Sequence, residues 1–225
     1  MWAGLRETTG TPTLRPFVIA HRFGNRLDAL RDAERLGIPC VEADLRLFRG
    51  RVEVRHLKSV GPLPLFWDRW HVAAPWSPRL TLTELLRATG PQTELVLDLK
   101  GRNTALGRLV ADAIEPHVVA RRFIVCARST SQLEPFLELP VRRFESVGSA
   151  RQLRRLLSRG TAAHGVSIHA RLLDEGVVQQ LRELTDVIFT WPVNRVDDAA
   201  SLAALGVDGL ISDAPKLLLA EGARA

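Results

Sequence analysis

The chain has no apolar run approaching the roughly eighteen residues that a bilayer-spanning helix needs. Its opening stretch, MWAGLRETTGTPTLRPF, has no apolar segment of the kind a signal peptide requires. Both absences predict a cytoplasmic protein. Cysteine is scarce. Cys40 and Cys126 sit inside apolar, strand-like runs, so they read as reduced core residues and exclude a disulfide framework. Lysine is scarce too, at Lys58, Lys100 and Lys216, and the net charge of +6 rests on arginines scattered over helical stretches. No stretch interleaves aromatic with basic residues as a nucleic-acid stacking platform would. That argues against a nucleic-acid partner and leaves a basic surface suited to an anionic small molecule. Neither an internal repeat nor a Gly-rich first turn of the dinucleotide-binding kind is present.

What is there, in 225 residues, is alternation. Short apolar runs at 17–21, 39–48, 94–100, 122–128, 141–148, 164–169, 186–194 and 207–213 read as strands. Amphipathic stretches at 26–37, 81–90, 104–117, 130–139, 149–160, 173–184 and 195–206 read as helices. Strands alternating with helices imply right-handed crossovers and a parallel sheet. Eight such units in this length predict a closed (β/α)8 TIM barrel, with an open doubly wound sheet as the weaker alternative. The expected organisation is an N-terminal extension over 1–16 and a single barrel domain over 17–225. One segment breaks the beat. LRLFRGRVEVRH (45–56) reads as a β-hairpin about Arg49 and Gly50. After it, 57–79 is a long Pro-rich connection carrying Trp67, Trp70 and Trp76, expected to fold over the barrel mouth and set substrate choice.

In a strand, residues two apart share a face. Val41, Ala43 and Leu45 then form one face of the second strand, and Leu95, Leu97 and Leu99 one face of the third. These wholly apolar faces belong against helices. Glu42, Asp44 and Asp98 must therefore point into the barrel near the strands' C-terminal ends, where barrel active sites form. Three converging carboxylates repel each other unless neutralised, and an unpaired buried charge costs several kcal/mol. Either one divalent cation sits among them, Mg²⁺ or Ca²⁺ given ligands that are all oxygen, or they pair with Lys100, Arg22 or Arg46. His21 ends the first strand on the inward face and His56 ends the hairpin arm. Two histidines beside such a site can supply a general acid and a general base. His71, His117, His164 and His169 read as ordinary core or surface residues.

IAHR (19–22), VEADLRL (41–47), RH (55–56), LDLK (97–100), TWPVN (190–194) and LGVDGLISDAP (205–215) resemble, in order, the glycerophosphodiester phosphodiesterase family. The likeness runs from about Phe17 to Pro215, and between 101 and 185 it is mostly one of rhythm. It implies a phosphoric diester hydrolase that cleaves glycerophosphodiesters to glycerol phosphate and an alcohol, a free glycerol hydroxyl serving as internal nucleophile. By the same likeness His21 and His56 are the acid/base pair, and Glu42, Asp44 and Asp98 hold one divalent cation. Arg22 and Lys100 grip the phosphate, and Trp191 lines the substrate wall. This chain departs from the family at Phe23, where glycine is usual, at Gly24-Asn25-Arg26, where Pro-Glu-Asn-Thr is usual, and at Leu57, where aspartate is usual. Asp98 stands for a longer glutamate. Two other readings are a lysophospholipase D-like enzyme with peripheral lipid contact through the tryptophans, and a degenerate barrel that only binds a phosphorylated ligand.

Overall fold

The apolar runs become strands because β-branched residues fit a pleated surface buried on both faces. The computed structural model describes residues 16–60, 63–68, 71–73 and 79–222. Strands β1 (Phe17–Ala20) and β2 (Cys40–Phe48) open the sheet. β2 then turns back into antiparallel β3 (Arg51–Val54). The turn is Arg49–Gly50, with φ of 48° and 78°, the two left-handed positions of a tight hairpin. β4 (Lys58–Val60), β5 (Leu63–Asp68) and β6 (His71–Ala73) make a small antiparallel sheet of their own. Parallel strands β7 (Glu94–Leu99), β8 (Phe123–Ala127), β9 (Arg142–Val147), β10 (Gly165–His169), β11 (Val187–Trp191) and β12 (Gly209–Ser212) complete the large sheet. β1 bonds to both β12 and β2, so the eight parallel strands close into the expected barrel.

Helices α1 (Leu27–Arg35), α2 (Leu82–Ala88), α3 (Ala105–Ile114), α4 (Ala150–Arg159), α5 (Glu175–Arg182), α6 (Val196–Ala204) and α7 (Pro215–Gly222) surround it. Local chemistry starts several of them. Thr81 and Glu84 form a reciprocal capping box, and Ser149 and Asp174 cap α4 and α5 with their side chains. α3 buries Leu106, Gly107, Val110, Ala111 and Ile114, one stripe at helical spacing.

Two corrections and one addition to the sequence reading have physical causes. The helix expected over 130–139 is two 3-10 turns, Thr130–Gln132 and Glu134–Phe136. Pro135 lacks an N–H and its ring clashes with the preceding turn, so a continuous α-helix cannot form. A helix beyond the seven stretches read from sequence, α7, follows β12. Its signal was Pro215 at the first helical position, where proline's fixed φ is already suited. The connection over 57–79, expected as a loop, holds the β4–β5–β6 sheet. Val60 pairs with Leu63 and Ser59 with Phe66, so Pro64 falls in an irregularity where no ladder donor is needed. Trp70 and Trp76 of that segment lie outside the described residues, as does the expected N-terminal extension except Pro16.

Inside the barrel the packing alternates large and small residues. Phe144 on β9 and Phe189 on β11 lie with ring centroids 4.5 Å apart. Gly165 and Gly209 are their register partners on β10 and β12. A Cβ on Gly165 would stand 2.4 Å from Phe144 Cζ, and one on Gly209 2.7 Å from Phe189 Cδ1. The two rings, with Ile19, Val96, Ile124 and Ile211, seal the barrel below its mouth. Val41, Ala43, Leu45, Leu95, Leu97 and Leu99 pack outward against helices, as their strand faces predict.

Candidate active site at the barrel mouth

With the barrel floor sealed by phenylalanines, polar residues collect where the inward faces reach the strands' C-terminal ends. Glu42 and Asp44 on β2 and Asp98 on β7 converge there, one carboxylate oxygen of each lying within 4.8 Å of the others. Asp44 and Asp98 are direct register partners across the two strands, which is why they meet. Glu42 and Asp44 are fully buried, while the side chain of Asp98 is 20% exposed.

Asp44 is the hub. Its Oδ2 accepts from Asn25 Nδ2 at 2.8 Å and from His56 Nδ1 at 3.1 Å, and Lys100 Nζ lies 2.8 Å from its Oδ1. Asn25 Oδ1 accepts the Asp44 backbone N–H at 2.8 Å, so Asn25 holds the residue at two points. Burial alone would raise the Asp44 carboxyl, but Lys100 and His56 outweigh it and keep it below the usual carboxylate range. Lys100 also contacts Asp98. Burial opposes its charge, yet Asp98 and Asp44 hold the ammonium above its usual value. Among the described residues no cation forms an ion pair with Glu42, and Lys100 acts on it only at longer range. Burial, and then the Asp44 charge, push its carboxyl well above the ordinary range, the condition that a divalent cation would relieve.

The first βα turn is shaped by backbone demands. Arg22 adopts φ 60°, a left-handed position that costs a side-chain-bearing residue about 1–2 kcal/mol. That conformation lets its N–H donate to Glu42 Oε2 at 2.7 Å. Gly24 lies against β2 so closely that a Cβ would sit 2.7 Å from Ala43 Cβ. Glycine is thus required one position after the usual family glycine, and Phe23 takes the earlier place. The Arg22 guanidinium bonds His56 Nε2 at 3.1 Å and lies 3.6 Å from Asp44. The partners assign His56 a proton on Nδ1, facing the carboxylate, and a lone pair on Nε2, facing arginine.

His21 continues β1, and Asp213 continues β12 one step beyond the Ala20–Ser212 pair. That register brings His21 Nδ1 and Asp213 Oδ1 to 2.7 Å. Asn194 Nδ2 donates to the other oxygen of Asp213 at 3.0 Å, and Asn194 Oδ1 accepts the Asp213 backbone N–H at 2.9 Å. The hydrogen bond from His21, reinforced by Asn194 against partial burial, lowers the Asp213 carboxyl to about 2. Nδ1 of His21 therefore carries the proton toward Asp213, and Nε2 is the nitrogen that can exchange one at the mouth.

Over 92% of this chain, the fold superposes on an Oleispira antarctica phosphodiesterase in complex with the product sn-glycerol-3-phosphate. The TM-score is 0.73, at 19% identity and 97% coverage of that chain. The chain has the fold of the glycerophosphodiester phosphodiesterases. One from Parabacteroides distasonis gives a TM-score of 0.73 at 18% identity, covering 93% of this chain and 98% of that one. One from Thermotoga maritima gives 0.65 at 22% identity, covering 92% and 98%. No family model matches the sequence, and no curated protein matches it either.

Six of the eight residues named from sequence (Arg22, Glu42, Asp44, His56, Asp98 and Lys100) fall into one web of contacts. His21 is next to Arg22 but engages Asp213 instead. Trp191 ends β11 elsewhere on the rim, its ring 4.8 Å from that of His169. Sequence reasoning passed over Asn25, Asn194 and Asp213 as site residues. All three lie in or beside the quoted family stretches, and parity along β12 puts Asp213 on the inward face with Gly209 and Ile211. No helix among the described residues is long and apolar enough to cross a membrane.

Proposed function

We propose that the protein is a divergent member of the glycerophosphodiester phosphodiesterase family, a phosphoric diester hydrolase that releases glycerol phosphate and an alcohol. The observation that carries this reading is the Asp44 hub. It joins a histidine, two cations (Arg22 and Lys100) and an acidic cluster at the mouth of a barrel shared with such enzymes. The glycerol phosphate bound by the Oleispira neighbour supports glycerol phosphate as the product.

Glu42, Asp44 and Asp98 would hold one divalent cation. Their donors are all oxygen, which suits Mg²⁺ or Ca²⁺, and the raised Glu42 carboxyl marks a site short of positive charge. When bound, such a cation supplies charge neutralisation at the phosphate oxygens. Lys100 and Arg22 add fixed positive charge on the same side. When Arg22 turns from His56 to a phosphate oxygen, the Nε2 lone pair of His56 becomes available. It takes the proton of a free glycerol hydroxyl as that oxygen attacks phosphorus. His21 Nε2–H protonates the departing alcohol oxygen, so one P–O bond forms as another breaks. Water then opens the cyclic phosphate with roles reversed: His21 accepts its proton and His56 returns one to the glycerol oxygen. Asp213 keeps a proton on Nδ1 of His21 throughout, so Nε2 gives its proton as imidazolium in the first step and accepts one as neutral imidazole in the second.

The test is hydrolysis of purified glycerophosphodiesters by the wild type, His21→Ala and His56→Ala. Each variant should lose on the order of a hundredfold in kcat or more, as removal of a positioned acid or base does. Wild-type inactivity on every diester, with the protein folded, would support the degenerate binding barrel instead. A lipid-directed activity remains the second reading, favoured by Trp67, which is 41% exposed with Lys58 Nζ 5.2 Å from its ring centroid.

A further inference from the structure

Across the mouth from His21 and Arg22 lies a second cationic group that the reaction above does not use. In the closed order β1-β12-β11-β10-β9-β8-β7-β2, β9 stands four strands from β1, on the opposite wall. Gly148 follows β9 directly. Two arginines from neighbouring strands reach it. Arg171, just past β10, donates from Nη2 to Gly148 O at 3.2 Å. Arg128, just past β8, places its Nη2 3.7 Å from where a Gly148 Cβ would be. Trp191 Cη2 is 3.4 Å and Gln152 Oε1 3.7 Å from the same point, the Gln152 oxygen already accepting the Gly148 N–H, so the glycine leaves a recess beside the indole and the Arg128 guanidinium, with Arg171 held at the Gly148 carbonyl.

The two sides of the mouth differ in charge balance. On the β1–β2–β7 side Lys100 pairs with Asp44 and Asp98, Arg22 lies near Asp44, and Arg46 donates to the His56 carbonyl oxygen at 3.1 Å. Arg128 and Arg171 form no ion pair among the described residues, and both are exposed. The first turn of α4, which begins beside this recess, carries no acidic residue. His169, its ring 4.8 Å from that of Trp191, stands beside Arg171. Partial burial and then Arg171 hold it below its usual value. Arg46 links the sides, within electrostatic reach of Asp44 and Asp98 in one direction and Arg128 in the other.

We infer that Arg128 and Arg171, walled by Trp191, form a second anion subsite, and that the preferred substrate is a glycerophosphodiester whose alcohol carries its own negative charge, a phosphate above all. This rests on the proposed hydrolase reading. The scissile phosphate belongs with Arg22, Lys100 and the carboxylates. The alcohol oxygen is held at His21, and the far end of the alcohol is then the part that extends over the mouth, where its charge meets two arginines that form no ion pair among the described residues. A planar guanidinium pairs a phosphate through two parallel N–H bonds, which makes such a pair a selective receptor. A choline-bearing alcohol would instead bring like charge against both.

The experiment compares kcat/KM on glycerophosphocholine, glycerophosphoglycerol and glycerophosphoinositol 4-phosphate for the wild type and the Arg128→Gln/Arg171→Gln double variant. Both side chains are exposed, so the variant should fold, which an unchanged Tm checks. The expected result is a phosphate-to-choline preference of about tenfold or more, about 1.4 kcal/mol or more. The double variant should lose it, and raised ionic strength should weaken it. Calorimetric binding of inositol 4-phosphate needs no turnover, and the double variant should bind it about tenfold more weakly or worse. Equal affinity of the two proteins for inositol 4-phosphate overturns the subsite whether or not the enzyme is active. A wild type that cleaves choline and phosphate-bearing diesters alike overturns the preference. A wild type that binds inositol 4-phosphate through the arginines yet cleaves no diester sinks the hydrolase reading and leaves the subsite standing.

Discussion

Asp213→Asn tests whether the carboxylate beside His21 sets the catalytic tautomer. The substitution keeps the size of the side chain, and Asn194 dictates how the new amide settles. Asn194 Nδ2 donates to Asp213 Oδ2 at 3.0 Å, so an asparagine at 213 must turn its oxygen toward Asn194. Its NH₂ group then faces His21 Nδ1, 2.7 Å from the original oxygen. A donor there forces Nδ1 to accept, which moves the histidine proton to Nε2 and removes the lone pair needed to take a proton from water. The charge that steadies the imidazolium is lost as well. A hydrogen bond to a charged group contributes about 1.5–3 kcal/mol, so kcat should fall by roughly 10- to 150-fold. Adding Asn194→Ala frees the amide to rotate and should recover part of the loss. Stability should respond differently. The folded-state carboxyl of Asp213 lies at about 2, below its ordinary 3.8, so its stabilising effect is present above about pH 4 and lost as pH falls toward 2. Asp213 is half exposed, and after solvent screening this amounts to about 1 kcal/mol or less. Steady-state kinetics on glycerophosphoglycerol and melting curves at pH 7 and pH 2 read both effects. An Asp213→Asn enzyme with wild-type kcat, or one whose kcat falls only in step with its Tm, would refute the tautomer argument.

Mg²⁺ or Ca²⁺ at about 100 times its Kd should stabilise the wild type by about 2.7 kcal/mol, and Glu42→Gln or Asp44→Asn should lose that thermal shift. Full turnover after exhaustive chelation would count against the cation site. Gly165→Ala puts a methyl 2.4 Å from the Phe144 ring and should destabilise the barrel by about 1–3 kcal/mol in a denaturant melt, with Phe144→Leu restoring part. Trp67→Ala should lower Tm less than loss of a buried aromatic such as Phe144, because the indole is 41% exposed, while lowering kcat/KM on lysophosphatidylcholine relative to glycerophosphocholine if that surface meets lipid. An unchanged substrate ratio would remove the lipid-facing role of Trp67.

Strand and helix order was legible in the sequence because it follows from the positions of apolar residues, and those respond to burial wherever the chain lies. Period two along 40–48 and 94–99 placed Glu42, Asp44 and Asp98 on inward faces, and the structure holds them there. The turn at Arg49–Gly50 was legible because a glycine stands between two strand-like arms, and the structure puts both residues in the left-handed region. Where a local rule conflicted with the helical pattern, as at Pro135, the local steric clash prevailed. What the sequence could not set is which residues meet across strands. Register decides that Asp213 follows Ser212 beside Ala20, and so meets His21 from 192 positions away. Closure decides that Arg128 and Arg171 share Gly148, and that Gly165 and Gly209 lie beneath the phenylalanine rings. The apolar pattern depends on each residue's own exposure to water and can be read one strand at a time. Register and closure are fixed by packing all eight strands at once, so the partners of His21 and the charge of the far rim exist only in the folded barrel.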